Sequence, residues 1–351
     1  MSKPQRHHPP TFYRAYPKVE LHRHLEGSLR LETLREIAQS HGIAVEEHEP
    51  LDIRVQVMEK EPFTAANFLS KFSTLRLFYR SPEVITRVTR EAIEDAARDN
   101  VRYMELRFTP VALSRVEDFP LADVMDWVIE AARQAGEEYG LPTRLIASVN
   151  RHESTALAEK VAQLSIDRMH KGIVGLDLAG NEADFPAAPF APLFREARRA
   201  GLHVTVHAGE WGGAENVRQA IEEMSAERIG HGVRILEDPG VVHLAREYGT
   251  TFEVCITSNY QSGVVAALAQ HPLPRMLAAG LHVTINTDDP SVSRITLSDE
   301  FRVAGESLGM SDEALQHMVL TAARNAFLPP AERDALVERL KEEWGRMNDE
   351  C

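Results

Sequence analysis

Cysteine is nearly absent from this chain, which has only Cys255 and Cys351 among its 351 residues. Two cysteines cannot supply a disulfide framework or a zinc site built from thiolates. Cys255 stands in the apolar run TFEVCIT, where a small buried side chain is expected. This composition indicates a reduced compartment, and we expect the cytoplasm.

Positive charge is also scarce, because 39 Lys and Arg residues stand against 53 Asp and Glu residues and the formal net charge is −14. Such a surface repels the phosphate backbone of DNA or RNA, so a small neutral ligand is the better candidate partner. No apolar run is long enough to span a membrane, and the segment 1–16 has no apolar signal-peptide core. We therefore expect no nucleic-acid or membrane partner, and a flexible lead-in (1–16) before a single domain (17–351). The oligomeric state stays open.

Eight short apolar runs that favour β-strands alternate with longer helical patterns along the chain. The predicted strands are 19–22, 102–108, 144–149, 173–178, 203–207, 228–230, 251–255 and 282–286. This alternation predicts an α/β protein with a parallel sheet, and eight units predict a closed (β/α)8 TIM barrel. The structural alternative is an open doubly wound sheet, but no G-x-G-x-x-G sequence follows a strand.

Apolar residues at helical spacing fill the segments between these strands. The predicted helices are 84–99, 122–139, 155–170, 191–200, 214–224 and 239–248. The stretch 45–78 is long and irregular, and we interpret it as an insertion after the first strand. Two further patterns, 312–326 and 332–344, predict a C-terminal helical tail.

Histidines stand at the ends of three predicted strands. His22 and His24 end the run KVELHRH, and since alternate residues of a strand point to one face, both imidazoles can reach one metal ion. His207 ends the fifth strand in VTVHAGE, and the Glu210 carboxylate three residues later could stand over a metal-bound water. His231 ends the sixth strand between two glycines, which let a ligand approach its ring. Taken singly, these patterns are also typical of two surface histidines, of a strand-end histidine followed by an acidic helix N-terminus, and of a glycine-rich turn with an exposed histidine.

Adjacent carboxylates, Asp288 and Asp289, follow the eighth strand in VTINTDDP. They repel each other unless a cation or a donor compensates, and alone they are typical of a solvated turn. However, all four signals fall at the carboxyl ends of strands, where barrel active sites are built. Three imidazoles and one carboxylate suit Zn²⁺. Glu210, His231 and Asp289 remain for acid–base chemistry.

Ordered motifs over 17–328 resemble the adenosine deaminase family of the amidohydrolase superfamily. The matching stretches are PKVELHRHLEGSL, GLDLAGNE, HAGEWGG, ERIGHGVRI, FEVCITSN and NTDDPSV. The stretch CITSNYQSGVVAALAQHPL is especially similar to bacterial adenosine deaminases. The resemblance implies zinc-dependent hydrolytic deamination of adenosine or deoxyadenosine to inosine or deoxyinosine, with release of ammonia, and a purine nucleoside as the partner molecule.

The resemblance implies one zinc ion held by His22, His24, His207 and Asp288. Two-metal members of the superfamily generally use a bridging carboxylated lysine at the end of the fourth strand. Here that position is occupied by residues 178–180, which read Leu-Ala-Gly, so a single metal is expected.

The resemblance also assigns the remaining polar residues. Glu210 would donate a proton to a purine ring nitrogen, and His231 would orient or deprotonate the attacking water. Asp289 would hydrogen-bond another ring nitrogen or the attacking oxygen, and the backbone of Gly180 would contact the purine. The residues expected to contact the substrate are His24, Glu26, Gly180 and Asp289.

One position departs from the family pattern. Nucleoside-specific members usually read HLDG, whereas this chain reads HLEG and has Glu26 at the position that contacts the ribose. The Glu form is familiar from adenine deaminases and from enzymes of modified nucleosides, which are the alternative functions. A non-catalytic zinc-binding barrel is the alternative of another class, although pure binding needs neither Glu210 nor His231.

Overall fold

The strands form one parallel sheet that is rolled into a barrel. The computed structural model describes residues 9–44 and 50–349. The strands are β1 (Lys18–His24), β2 (Val101–Phe108), β3 (Thr143–Asn150), β4 (Ile173–Ala179), β5 (His203–Ala208), β6 (Arg228–His231), β7 (Thr251–Val254) and β8 (His282–Ile285). Each strand pairs in parallel with the next one in the chain. The predicted (β/α)8 barrel is therefore confirmed, including the short sixth strand.

The end of the chain's last strand returns to the first strand through an isolated parallel bridge between Arg23 and Asp288. The backbone N–H of Asp288 donates to the carbonyl of His22 at 2.9 Å, and the N–H of His24 donates to the carbonyl of Asp288 at 2.8 Å. The bridge lies three residues beyond β8, so it joins the two ends of the sheet at the carboxyl side of the barrel.

Helices surround the barrel. They are α1 (Pro10–Ala15), α2 (Leu31–His41), α3 (Leu51–Val55), α4 (Ala65–Leu75), α5 (Pro82–Arg98), α6 (Pro110–Ser114), α7 (Leu121–Tyr139), α8 (Thr155–Ile166), α9 (Ala191–Arg199), α10 (Ala214–Met224), α11 (Pro239–Tyr248), α12 (Ile256–Gln261), α13 (Leu273–Ala278), α14 (Pro290–Ser293), α15 (Leu297–Arg302), α16 (Asp312–Arg324) and α17 (Pro330–Asp349). Each predicted helix corresponds to one of these. No described helix is long and apolar enough to cross a membrane.

The predicted insertion after the first strand is present, but the description of 45–78 as irregular was wrong. Its described part, 50–78, contains α3 and α4 and ends in a 3-10 turn. Thr64 is the N-cap of helix α4, because its hydroxyl accepts a hydrogen bond from the backbone N–H of Asn67 at 3.2 Å. The side chains of Phe68 and Leu75 are buried on the inner face of α4. The described part of the insertion is therefore a helical layer.

The first and last segments that the structure describes pack together. Of the predicted lead-in 1–16, residues 1–8 lie outside the described part, and 10–15 form α1. Tyr16 is buried, and its ring centroid lies 5.7 Å from those of Phe301 and Trp344. The hydroxyl of Tyr16 also donates to the carbonyl of Asp312 at 3.3 Å. The described end of the lead-in thus packs against the C-terminal helical layer.

Candidate active site

Four potential metal ligands meet at the carboxyl end of the barrel. His22 and His24 lie on β1, His207 is the second-last residue of β5, and Asp288 follows β8. The Nε2 atom of His24 lies 3.2 Å from that of His207 and 3.3 Å from Asp288 Oδ1. The Nε2 atom of His22 lies 3.1 Å from the same Oδ1. One ligand atom from each residue lies within 4.8 Å of every other, so the four can bind one ion together.

Buried carboxylates behind the cluster orient two of these imidazoles. The Nδ1–H of His22 donates to Glu253 Oε2 at 2.8 Å, and the Nδ1–H of His207 donates to Asp177 Oδ1 at 2.9 Å. Burial alone would raise the pKa of Glu253, but the Arg107 and Arg228 guanidiniums beside it hold that pKa well below its usual range. An ionised acceptor keeps the proton on Nδ1 and leaves Nε2 as a free lone pair.

This donor set fits a metal ion, and its chemistry suits zinc. Free imidazole Nε2 atoms and one carboxylate form the nitrogen and oxygen ligand set of a catalytic zinc site. The carboxylates on the far side of the rings are the usual outer partners of metal-bound histidine. A second possible group, His231, Cys255 and Asp288, shares Asp288 with the first and has one residue fewer.

Local backbone geometry holds Asp288 and leaves room around the cluster. Asp288 has a positive φ of 64°, which non-glycine residues rarely adopt, and the bridge to β1 fixes it there. The Ser258 hydroxyl donates to Asp288 Oδ2 at 2.7 Å. Gly230 lies beneath the rings, where a Cβ atom would stand 2.9 Å from His22 Cε1 and 3.2 Å from His207 Cγ. A larger residue at 230 would displace the ligands.

Glu210 lies in the loop that follows β5, and another carboxylate fixes this loop. Glu182 accepts the backbone N–H groups of Gly209, Glu210 and Gly212 at 3.0, 2.6 and 2.8 Å. Burial, together with the negative charges of Asp288 and Glu182, raises the pKa of Glu210 well above its ordinary value. This shift favours the neutral carboxylic acid form of Glu210.

A chain of hydrogen bonds determines which nitrogen of His231 carries the proton. The backbone N–H of Leu273 donates to His271 Nδ1 at 3.1 Å, and burial lowers the pKa of His271 to about 3. A neutral His271 must therefore carry its proton on Nε2, which donates to Asn259 Oδ1 at 3.2 Å. The amide of Asn259 then directs Nδ2 to His231 Nδ1, 3.0 Å away.

The same chain makes His231 a donor toward the cavity. Burial lowers the pKa of His231 well below its ordinary value, so the ring is neutral. Because Nδ1 accepts from Asn259, the proton lies on Nε2. This Nε2 is 3.6 Å from Glu210 Oε2 and 3.9 Å from Asp288 Oδ2. Both distances are too long for a hydrogen bond, so the N–H is available to a ligand.

Three further predicted residues border the same space. Glu26 Oε1 accepts from the backbone N–H of Thr109 at 2.6 Å, while Oε2 is buried without a partner among the described residues. Burial and the negative charges of Asp288 and Glu26 raise the pKa of Asp289 well above its ordinary value. Gly180 directly follows β4 with a φ of 99°, a conformation that favours glycine.

One cavity brings these residues together. The predicted residues on its wall are His24, Glu26, Gly180, His207, Glu210, His231, Asp288 and Asp289. His22 lies beneath the cavity and is fully buried. Helix α4 of the insertion supplies an apolar wall with Phe68, Leu69 and Phe72, and Arg76 follows at its C-terminal end.

Several supporting residues were missed by the sequence reasoning. They are Asp177, Glu182, Glu253, Asn259 and His271. Asp177 and Glu182 stand within GLDLAGNE and Glu253 within TFEV, each as a lone acidic residue in or beside an apolar strand. A charge in a buried strand needs a partner, and this was the available signal. Asn259 and His271 gave no comparable signal.

The chain is similar to known deaminases in sequence and in structure. A family model described as Adenosine deaminase matches residues 17–343. An adenosine deaminase of Klebsiella pneumoniae is 38% identical over 327 residues, which are 92% of this chain and 97% of that protein. The structure of an adenine deaminase from Arthrobacter aurescens has a TM-score of 0.86 and 30% identity, and the match covers 94% of this chain and 99% of that one. A Zn-bound amidohydrolase of Burkholderia ambifaria has a TM-score of 0.89 and 28% identity, with 97% and 93% covered.

Proposed function

Since the chain belongs to the adenosine deaminase family, we propose that it is a zinc-dependent hydrolase that converts adenosine and deoxyadenosine to inosine and deoxyinosine with release of ammonia. The observation that carries the proposal is the buried Glu210 carboxyl, which borders the same cavity as the ligand cluster and whose pKa is raised by burial and by the neighbouring Asp288 and Glu182 charges. A non-catalytic zinc-binding barrel is not supported, because the relatives are enzymes. The unpaired, buried Cys255 is compatible with the proposed cytoplasmic location.

His22, His24, His207 and Asp288 would hold one zinc ion. Zinc, when bound, lowers the pKa of a water molecule so that hydroxide is available near neutral pH. The protein's own contribution is to keep the His22 and His207 imidazoles in the tautomer that leaves Nε2 free, through Glu253 behind His22 and Asp177 behind His207.

Glu210 would act as the general acid. Its proton passes to the purine ring nitrogen next to C6, which makes C6 more electrophilic toward the attacking oxygen. The Nε2–H of His231 would donate to that oxygen and hold it, so the structure favours an orienting role for His231 over that of a base. Asp289, as a neutral acid, would donate to a second acceptor of the bound purine, and the backbone of Gly180 would contact its edge. Addition of water and loss of ammonia then convert the amino group to a carbonyl.

Glu26 is the residue that bears on the choice between two candidate substrates, adenosine and free adenine. Adenine is favoured by the glutamate at this position and by the similarity to the Arthrobacter adenine deaminase. A nucleoside is favoured because the buried, unpartnered Oε2 of Glu26 borders the cavity and can accept a ribose hydroxyl. We therefore infer that adenosine is the better substrate.

The test compares adenosine and adenine with the zinc-loaded parent and with Glu26→Ala. Loss of a charge-assisted hydrogen bond should lower kcat/KM for adenosine by roughly ten- to a hundredfold. Any turnover of adenine should barely change, and adenine thus serves as the internal control. A parent that prefers adenine, or equal losses on both substrates, would contradict the ribose assignment. A circular dichroism melt checks that the loss of the Thr109 contact leaves the fold intact.

A further inference from the structure

Glu300 of α15 has a fully buried carboxyl group that lies outside the wall of the active-site cavity. Its two oxygens accept hydrogen bonds from the first two residues of α12. The backbone N–H of Ile256 donates to Oε2 at 2.6 Å, and the backbone N–H of Thr257 lies 3.1 Å from Oε1. The Thr257 hydroxyl also donates to Oε1. Within the described ranges, no Lys, Arg or His side chain forms an ion pair with Glu300, so its side-chain contacts of a polar kind all go to α12.

Helix α12 (Ile256–Gln261) needs an acceptor from outside itself at this end. The first backbone N–H groups of a helix have no partner within it, and Cys255 at the N-cap position makes no side-chain hydrogen bond to them. Six residues are also too few for a helix to hold its place through its own backbone hydrogen bonds. Burial raises the pKa of Glu300 to about 8, which shows that the carboxyl has lost hydration. The hydrogen bonds to α12 offset this cost.

The same short helix contacts three groups of the candidate active site. Ser258 Oγ lies 2.7 Å from Asp288 Oδ2, Asn259 Nδ2 lies 3.0 Å from His231 Nδ1, and Ser262 Oγ at the C-cap lies 3.5 Å from Glu210 Oε1. The groups contacted are a candidate metal ligand, the proposed donor to the attacking oxygen and the proposed general acid. A shift of α12 would therefore disturb all three together. A displacement of about 1 Å outside the reacting atoms can lower a rate about a hundredfold.

We propose that Glu300 is a positioning residue for the deamination: by binding the first two residues of α12, it fixes the place from which Asn259 donates to His231 and Ser258 donates to Asp288. This inference rests on the proposed deaminase function. None of the residues on the described cavity wall belongs to α12 or α15. Glu300 therefore acts on turnover through α12, and it leaves substrate binding to the residues of the wall.

Two substitutions of Glu300 in the zinc-loaded enzyme test the inference. Methionine has a similar length but only a weak acceptor, so Glu300→Met should lower kcat for adenosine about ten- to a hundredfold while KM stays within about threefold. Glutamine keeps a carbonyl oxygen for the Ile256 N–H and can donate to the Thr257 hydroxyl, so Glu300→Gln should hold kcat within about threefold of the parent. Elemental analysis should find about one zinc per chain in both variants, because no ligand has been removed.

Nitrogen-15 NMR of the histidine rings gives a readout that a loss of stability alone would not change. The parent's His231 should carry its proton on Nε2, whereas Glu300→Met should show a mixture of the Nδ1 and Nε2 forms, because Asn259 is no longer held in place. Asp238→Ala is the matched control, since it removes a carboxylate that accepts two backbone N–H groups at the start of α11, away from the cavity wall. This control should lower the melting temperature but leave kcat and the His231 signals unchanged.

The inference is overturned if Glu300→Met changes kcat and the His231 signals no more than Asp238→Ala does, or if its loss falls on KM and not on kcat. If Glu300→Met does not fold, Thr257→Val takes its place, because it removes only the hydroxyl donor. It should lower kcat about threefold with the same change in the His231 signals, and parent values for both would overturn the inference. A parent that does not deaminate adenosine contradicts the proposed function instead, and the His231 signals then still test the contact through α12.

Discussion

Asn259→Asp should invert the tautomer of His231. In the parent, the Asn259 amide donates to His231 Nδ1 across 3.0 Å and accepts from His271 Nε2 across 3.2 Å. A carboxylate has the same shape but no donor, so His231 must place its proton on Nδ1 to keep the bond. The neutral ring then presents a lone pair to the cavity at Nε2, and the donor to the attacking oxygen is lost.

The expected fall in kcat of Asn259→Asp follows from the loss of one hydrogen-bond donor at the reacting oxygen. Such a loss typically lowers kcat by about a hundred- to a thousandfold. The new carboxylate also favours imidazolium, which retains the Nε2 proton, and this form is lost as pH rises through the increased pKa of His231. The loss of kcat in Asn259→Asp should therefore be greatest at alkaline pH. Turnover of adenosine by the zinc-loaded enzyme is the assay.

Nitrogen-15 NMR of histidine-labelled enzyme reports the protonated nitrogen directly. His271→Gln is the control, because a glutamine amide can still donate to Asn259 Oδ1 and should preserve much more activity than Asn259→Asp. The reasoning is refuted if the parent's His231 carries its proton on Nδ1, or if Asn259→Asp stays within a few-fold of the parent at alkaline pH.

Two further predictions concern the acids of the cavity. Glu210→Gln should keep the fold and bind the metal but lower kcat about a hundredfold or more, because an amide cannot supply the carboxylic proton; turnover within a few-fold of the parent would exclude Glu210 as the acid. Asp288→Ala should lose zinc, measured by elemental analysis, because it removes a ligand, whereas Asp289→Asn should retain about one zinc per chain and lose rate. Equal loss of zinc in both variants would show that the roles of the two aspartates are wrongly assigned.

The barrel and the position of the four candidate metal ligands at its carboxyl end could be predicted because their signals are local. Each strand is a short apolar run, and a polar residue at the end of such a run must lie at the edge of the sheet where the other strands also end. His207 and His231 were therefore placed correctly without any knowledge of contacts. Even β6, whose propensity is weak, followed from the regular alternation with helices.

The interactions behind the ligands could not be predicted, because they depend on register and not on local pattern. Glu253 reaches His22 across 231 positions of sequence, and nothing near either residue identifies the other. The His271–Asn259 relay depends on the direction of single hydrogen bonds between α12 and the loop before α13. Helix α3 was missed because its five residues are too few to show a helical period.

The isolated bridge between Arg23 and Asp288 bears on the stage of synthesis at which the candidate metal site can form. The chain positions of His22 and Asp288 are 266 residues apart, yet the backbone of one binds the backbone of the other. A ribosome that has released only the first seven strands has therefore exposed His22, His24 and His207 but neither Asp288 nor the backbone bridge that joins its segment to β1. The complete ligand set forms only when the last strand joins the first, so a nascent or C-terminally truncated chain should be unable to retain the metal. We therefore expect the candidate site to bind a metal only after the barrel is complete.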